Sequence, residues 1–236
     1  MKAVIIANSE SPEVEVVAEL LRDIGFVSSV LQREDGNYGS SLVGLDLVLS
    51  LGSDWSVFWP EVRRFVDAES HHLLRFKEKG VPIFGICFGA QILSYAFGGK
   101  VSRAKVPEFG WHAVESVDTF PVFDGTWFQW HKDVFSVPQN GRSLAKNPIG
   151  PQAFQLQRCL GTQFHPEITE AVLRHWVMAG GHSELEAFGH DPVKLLLESE
   201  GHYESTSHRF QTLFQWFLES VAYIDRPPAV GTSAQT

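Results

Sequence analysis

The chain has 236 residues, 44% of them hydrophobic and 20% charged, with 7 Trp and 18 Phe. That length suits one α/β domain with a core large enough to offset chain entropy. The 19 Lys+Arg against 28 Asp+Glu give a formal charge of -9, which repels nucleic acid and anionic lipid.

No apolar run approaches the ~20 residues a membrane helix needs, and the start through Ala7 has too short an apolar core for a signal peptide. The expectation is a cytoplasmic protein with no nucleic-acid or membrane partner.

Residues 3–7 form an apolar run of strand length. Ser11 supplies an N-cap and Pro12 the first helical position, ahead of Val14, Val17, Leu21 and Ile24 at near-helical spacing. Gly25 stops that helix. Strands follow at 26–31 and 45–50, the second ending in the turn residues Gly52, Ser53 and Asp54. A helix over 60–79 and a short apolar strand over 81–86 complete an alternation that favours an open, mostly parallel sheet flanked by helices.

Beyond Gly99 the pattern turns mixed or antiparallel. Short strands are predicted at 111–117, 125–130 and 134–137, then a hairpin of 153–156 and 159–164 around Gln157 and Arg158. Asp191 and Pro192 cap a helix over 193–200. Phe210, Leu213, Phe214, Phe217, Leu218 and Val221 mark the buried stripe of another. The expected organisation is a single domain over 1–225 and a frayed tail over 226–236.

Chemistry concentrates where the strand over 81–86 runs through Gly85-Ile86-Cys87-Phe88-Gly89 directly into a helical sequence. This is the grammar of a nucleophile elbow: a strained strand-to-helix turn whose neighbours must be small. A cysteine there gains a helix N-terminus that favours its thiolate, and the next backbone N–H, on Phe88, points where an oxyanion would form. Taken alone, Cys87 is as readily a small buried hydrophobe as a nucleophile. The second element is Gly161-Thr162-Gln163-Phe164-His165-Pro166-Glu167, which puts a histidine at a strand end with a carboxylate two residues on. His165 can serve as base and Glu167 as its orienter. The other cysteine, Cys159, alternates with Leu160 in a strand and reads as core. With two cysteines no disulfide framework is expected. The remaining histidines lack metal-ligand spacing, so no metal and no cofactor are expected.

Over about residues 1–220 the sequence resembles the class I, triad-type glutamine amidotransferases. The elbow pattern Gly-x-Cys-x-Gly-x-Gln is matched by Gly85, Cys87, Gly89 and Gln91, and the Gln-Phe-His-Pro-Glu strand end by residues 163–167. The resemblance implies a flavodoxin-like α/β fold with a small antiparallel sheet. It implies Cys87, His165 and Glu167 as the triad, and backbone N–H groups near Gly52 and Phe88 as the oxyanion hole. Leu51 and Ser53 depart from the family's Gly-Gly-Pro form of the oxyanion loop, while Gly52 is kept.

The segments over 108–111 and 128–133 are similar to the glutaminase part of GMP synthase and its stand-alone relatives. That similarity implies His131 and Asp133, with Gln91, as contacts for bound glutamine. The implied reaction is hydrolysis of the glutamine side-chain amide to glutamate and ammonia. No phosphate-binding Gly-x-x-x-x-Gly-Lys-[Ser/Thr] loop occurs here, so a separate ammonia-accepting synthetase subunit is the expected partner. Two alternatives stand beside this reading: hydrolysis of another amide or γ-glutamyl compound, and a non-catalytic regulatory subunit that keeps the fold.

Overall fold

The computed structural model describes residues 1–36, 44–118 and 120–224. The tail expected over 226–236 lies outside the described residues.

Three apolar segments, β1 (Lys2–Ala7), β2 (Val27–Gln32) and β3 (Leu47–Ser50), pair in parallel, with α1 (Glu13–Asp23) crossing between the first two. Pro12, not Ser11, occupies the cap position of α1: its φ of -67° is already helical, and the Ser11 carbonyl, not its hydroxyl, receives the first N–H, from Val14. A 3-10 turn over Pro60–Val62 leads into α2 (Arg63–Glu78), and β4 (Ile83–Ile86) follows, then α3 (Phe88–Ala96). β3 and β4 are buried at every position, as strands covered on both faces must be.

The antiparallel strands differ from the expected pattern in three places. One long strand, β5 (Val101–Ser116), replaces the short one predicted at 111–117. Its first residues show no clean alternation because they form a largely exposed ribbon, with a register shift between Arg103 and Glu108, where Pro107 lies. β6 (Gly125–Phe135) runs unbroken through His131, Lys132 and Asp133. Those polar residues read as an interruption, yet each faces a polar partner within the fold: Glu108, Glu184 and Arg103 respectively. β7 (Arg142–Lys146) is a strand with only two buried apolar residues, too weak a signal to detect.

The predicted hairpin is present as β8 (Pro151–Leu156) and β9 (Cys159–Thr162), turning through Gln157 at φ 53°. After it come two unanticipated helices, α4 (Glu170–Trp176) and α5 (His182–Ala187), joined by an irregular turn over Val177–Gly181. The predicted pair, α6 (Pro192–Ser199) and α7 (Tyr203–Phe217), closes the described chain. The Asp191 carboxylate accepts the N–H groups of Val193 and Lys194, the cap read from sequence.

The nine strands order as β2-β1-β3-β4-β9-β8-β7-β5-β6. Pairing is parallel from β2 to β9 and antiparallel from β9 to β6, so the antiparallel half joins the parallel half edge to edge. One apolar cluster packs α1 and α7 on one face of the sheet, around Ile5, Leu49, Phe84 and Phe217. A second packs α2 and α3 on the other, around Val4, Val48, Phe76 and Ile92. No helix among the described residues is long and apolar enough to cross a membrane. β4 lies inside the parallel set, between β3 and β9, and its C-terminal end opens on the side where crevices form in such sheets.

Candidate active site

Cys87 sits between β4 and α3 at φ 52° and ψ -108°, a conformation that L-residues avoid. The turn can be this sharp because its neighbours lack a Cβ. One on Gly85 would fall 2.5 Å from the Gly89 oxygen, and one on Gly89 would fall 1.8 Å from the Ser50 oxygen. The Cys87 N–H donates to Thr162 O at 2.8 Å, tying the elbow to β9, the strand that delivers His165. The sulfur meets Trp130 O and the Gln163 Nε2 donor, each at 3.8 Å.

His165 is buried, with its backbone N–H donated to Phe128 O at 2.9 Å and the Trp176 ring edge-on at 4.8 Å. Its Nδ1–H donates to Glu167 Oε1 at 2.7 Å. That assignment leaves Nε2 as the nitrogen available to the reacting atoms. Burial works against a charged imidazole here, but the carboxylate of Glu167 and the sulfur of Cys87 hold His165 well above the usual histidine range. The arrangement favours the charged form of the imidazole.

A cavity of about 620 Å³ opens over these groups, lined among others by Gly52, Cys87, Gln91, Trp130, His165 and Trp176. Gly52 lies so close that a Cβ there would sit 3.1 Å from His165 Cε1 and 3.9 Å from Cys87 Cβ. Phe88, the first residue of α3, is buried beneath the elbow. All eight residues singled out in the sequence therefore belong to one region, and they differ in how they are engaged. Gln91 lines the cavity, but its Nε2 is occupied by Asp133 O at 3.1 Å and Gln163 Oε1 at 3.4 Å. His131 Nδ1 lies 3.0 Å from Asp133 O, and its Nε2 lies 3.1 Å from Glu108 Oε2. Asp133 accepts from Ser56 Oγ and pairs with Arg103 at 2.9 Å. These three form a braced wall of the cavity.

That wall continues inward. Burial opposes ionisation of Glu108, but hydrogen bonds from His131 and Asn147 hold it below the usual carboxylate range. Cys159 is a core residue, with burial pushing its thiol up to about 12, and both cysteines are free.

Sequence reasoning missed several groups at the site. Glu13, on the first turn of α1, is a buried carboxyl lining the cavity. Burial pushes its pKa up, and the nearby charge of Glu167 adds to the rise against the lowering effects of a backbone N–H and His165. Trp176 comes from a helix that was not anticipated. Arg33 is fully buried behind Gly52 and pairs with Glu69 at 2.7 Å. No sequence signal pointed to Arg33 and Glu69: Arg33 follows the largely exposed strand β2, and Glu69 lies on an amphipathic helix.

The class-I glutamine amidotransferase family model matches residues 60–179, which is just over half of the chain. The chain belongs to that family. Its relatives include the glutamine-hydrolysing GMP synthase of Aquifex aeolicus, 26% identical over 197 residues, a match covering 75% of this chain and 35% of that protein. The corresponding Aeropyrum pernix enzyme is 27% identical over 213 residues, covering 83% and 40%. The chain thus spans well under half the length of these curated relatives. Among solved amidotransferase structures, one from Thermotoga maritima aligns with a TM-score of 0.84 at 25% identity, covering 93% of this chain and 99% of that one. One from Methylobacillus flagellatus has a TM-score of 0.79 at 17% identity, a likeness of fold alone, over 98% and 97%. The fold of this amidotransferase thus spans nearly the whole of both solved chains.

Proposed function

We propose that the protein hydrolyses the side-chain amide of L-glutamine through a Cys87 thioester. The observation that carries the reading is the strained elbow at Cys87, facing the His165–Glu167 pair across one cavity at the N-terminus of α3. The Cys87 thiolate attacks the carboxamide carbon, and N–H groups at Gly52 and Phe88 stabilise the tetrahedral oxyanion. The C–N bond then breaks as His165 gives its proton to the departing ammonia. Water attacks the γ-glutamyl thioester, with His165, now neutral, taking the water proton, and glutamate leaves with the thiolate restored. Glu167 holds the imidazole tautomer and supports its charged form.

Gln91, His131 and Asp133 act in this reading as the frame that shapes the glutamine pocket. Residues 1–225 work as a single amidotransferase domain. The ammonia passes to a separate synthetase subunit, a partner supported by the likeness to glutamine-hydrolysing GMP synthases. Two free cysteines, one serving as nucleophile, suit the reducing cytoplasm.

The test is incubation of the purified protein with L-glutamine, with glutamate and ammonia quantified together. Equal yields of both, lost in Cys87→Ala, are the expected result. Wild-type silence refutes the proposal, as does turnover that survives Cys87→Ala.

A further inference from the structure

Arg33 is the least expected residue in the molecule: an arginine with a side-chain exposure of 0%, paired with Glu69, also at 0%. Two fully desolvated charges need every hydrogen-bonding position filled. Arg33 Nε donates to Glu69 Oε2 at 2.7 Å, and Nη1 donates to Asn8 Oδ1 at 2.6 Å. The remaining donors go to backbone. Nη1 reaches Gly52 O at 3.2 Å, and Nη2 reaches Leu51 O at 3.0 Å and Ser50 Oγ at 3.5 Å. Ser50 Oγ in turn donates to Glu69 Oε1 at 2.6 Å, and the guanidinium carbon lies 4.8 Å from the centre of the Phe88 ring.

A single cation therefore touches both halves of the proposed oxyanion hole. In a trans peptide the C=O and the following N–H point in opposite directions. Anchoring Leu51 O on Arg33 turns the Gly52 N–H away from the guanidinium, and anchoring Gly52 O does the same for the Ser53 N–H. Neither N–H has an acceptor among the described residues. Gly52 also packs directly against His165 Cε1. Proline at position 53, the form of the resembled loop, would restrict the backbone and offer no N–H. Serine imposes no such restraint, and Arg33 supplies it from behind.

We infer that Arg33 is a positioning residue for amide hydrolysis. By gripping the Leu51 and Gly52 carbonyls it aims the Gly52 and Ser53 N–H groups at the oxyanion, and Glu69 and Asn8 hold it in place. The inference rests on the thioester reading above and extends it to a part of the chain that no elbow or triad motif reaches.

Two variants test it. Arg33→Lys keeps a charge for Glu69 but cannot span both carbonyls and Asn8. Arg33→Met combined with Glu69→Met removes both charges, so no unpaired charge is left in the core, and it releases the Leu51 and Gly52 carbonyls. The readouts are kcat and KM for L-glutamine and for the chromogenic L-γ-glutamyl-p-nitroanilide, with the alkylation rate of Cys87 by iodoacetamide. Alkylation needs the thiolate but forms no oxyanion. The expected result is a fall in kcat of about 10- to 10³-fold, the scale of a lost or misaimed oxyanion donor, with KM and the alkylation rate unchanged.

Folded variants with wild-type kcat overturn the inference. So does an alkylation rate that falls in step with kcat, because the damage would then be general. Wild-type protein inactive on both amides defeats the thioester reading itself, and the inference with it.

Discussion

Replacing Gly89 by alanine tests whether the elbow is built by close backbone approach. An ideal Cβ at this position would lie 1.8 Å from the Ser50 oxygen, 2.5 Å from its carbonyl carbon and 2.9 Å from Oγ. Carbon atoms in nonbonded contact rest at about 3.5–4.0 Å, so the first turn of α3 must retreat from β3 by roughly 1 Å or more. Neither obstacle can rotate aside, since Ser50 O is backbone and Ser50 Oγ is committed to Glu69. That places the substitution near the upper end of overpacking costs, about 3 kcal/mol. For a chain of this size each ~1 kcal/mol lowers Tm by about 2–4 °C, so the expected loss is roughly 6–12 °C. The retreat carries Cys87 and the Phe88 N–H with it, and a ~1 Å misplacement of reacting groups costs about 10²-fold in rate.

Differential scanning fluorimetry and glutamine hydrolysis measure both effects. Gly201→Ala is the control, because a Cβ there meets nothing within 4 Å. Wild-type Tm and kcat in Gly89→Ala would refute the reasoning, as would equal damage in the control.

Three further outcomes are expected. Cys87→Ala abolishes release of glutamate and ammonia while leaving the thermal midpoint close to that of wild type, a split that paired activity and unfolding assays detect. Glu167→Gln lowers kcat by roughly 10- to 10⁴-fold, because the carboxylate orients His165 and makes no bond to substrate. Removing that charge also lets the His165 pKa fall back toward 6.5, so the alkaline limb of the pH–rate profile moves to lower pH. Glu13→Gln addresses a buried carboxyl whose folded pKa is raised above 4.5. A raised acid keeps its full contribution to stability below 4.5 and loses it as pH rises through the folded value. The variant should therefore match wild type in Tm at pH 4 and exceed it at pH 8, with a rise at both pH values counting against the assignment.

The sequence by itself determined the parallel half of the fold and the candidates for the reacting residues, because both are written in local signals. Apolar runs of strand length at β1, β3 and β4 need only burial on both faces. The elbow needs small residues at 85 and 89, and the His165–Glu167 pair is separated by only two positions. The antiparallel half was less legible. β5 begins in an exposed ribbon, and β6 carries His131, Lys132 and Asp133 through its centre, so neither shows a clean period. Their pairing energy comes from partners far away in the chain, such as Glu108 for His131 and Glu184 for Lys132.

Tertiary structure alone decided which charges could be buried. Arg33, Glu69 and Asn8 lie in separate segments with no common motif, and only the convergence of strand ends at Ser50 and Gly52 brings them together. Glu13 likewise reads as an ordinary acidic first-turn residue until α1 is packed against the strand end that carries His165. A local pattern can specify a nucleophile and its base. The cost of desolvating a charge depends on every neighbour that replaces water, and the fold alone supplies those neighbours.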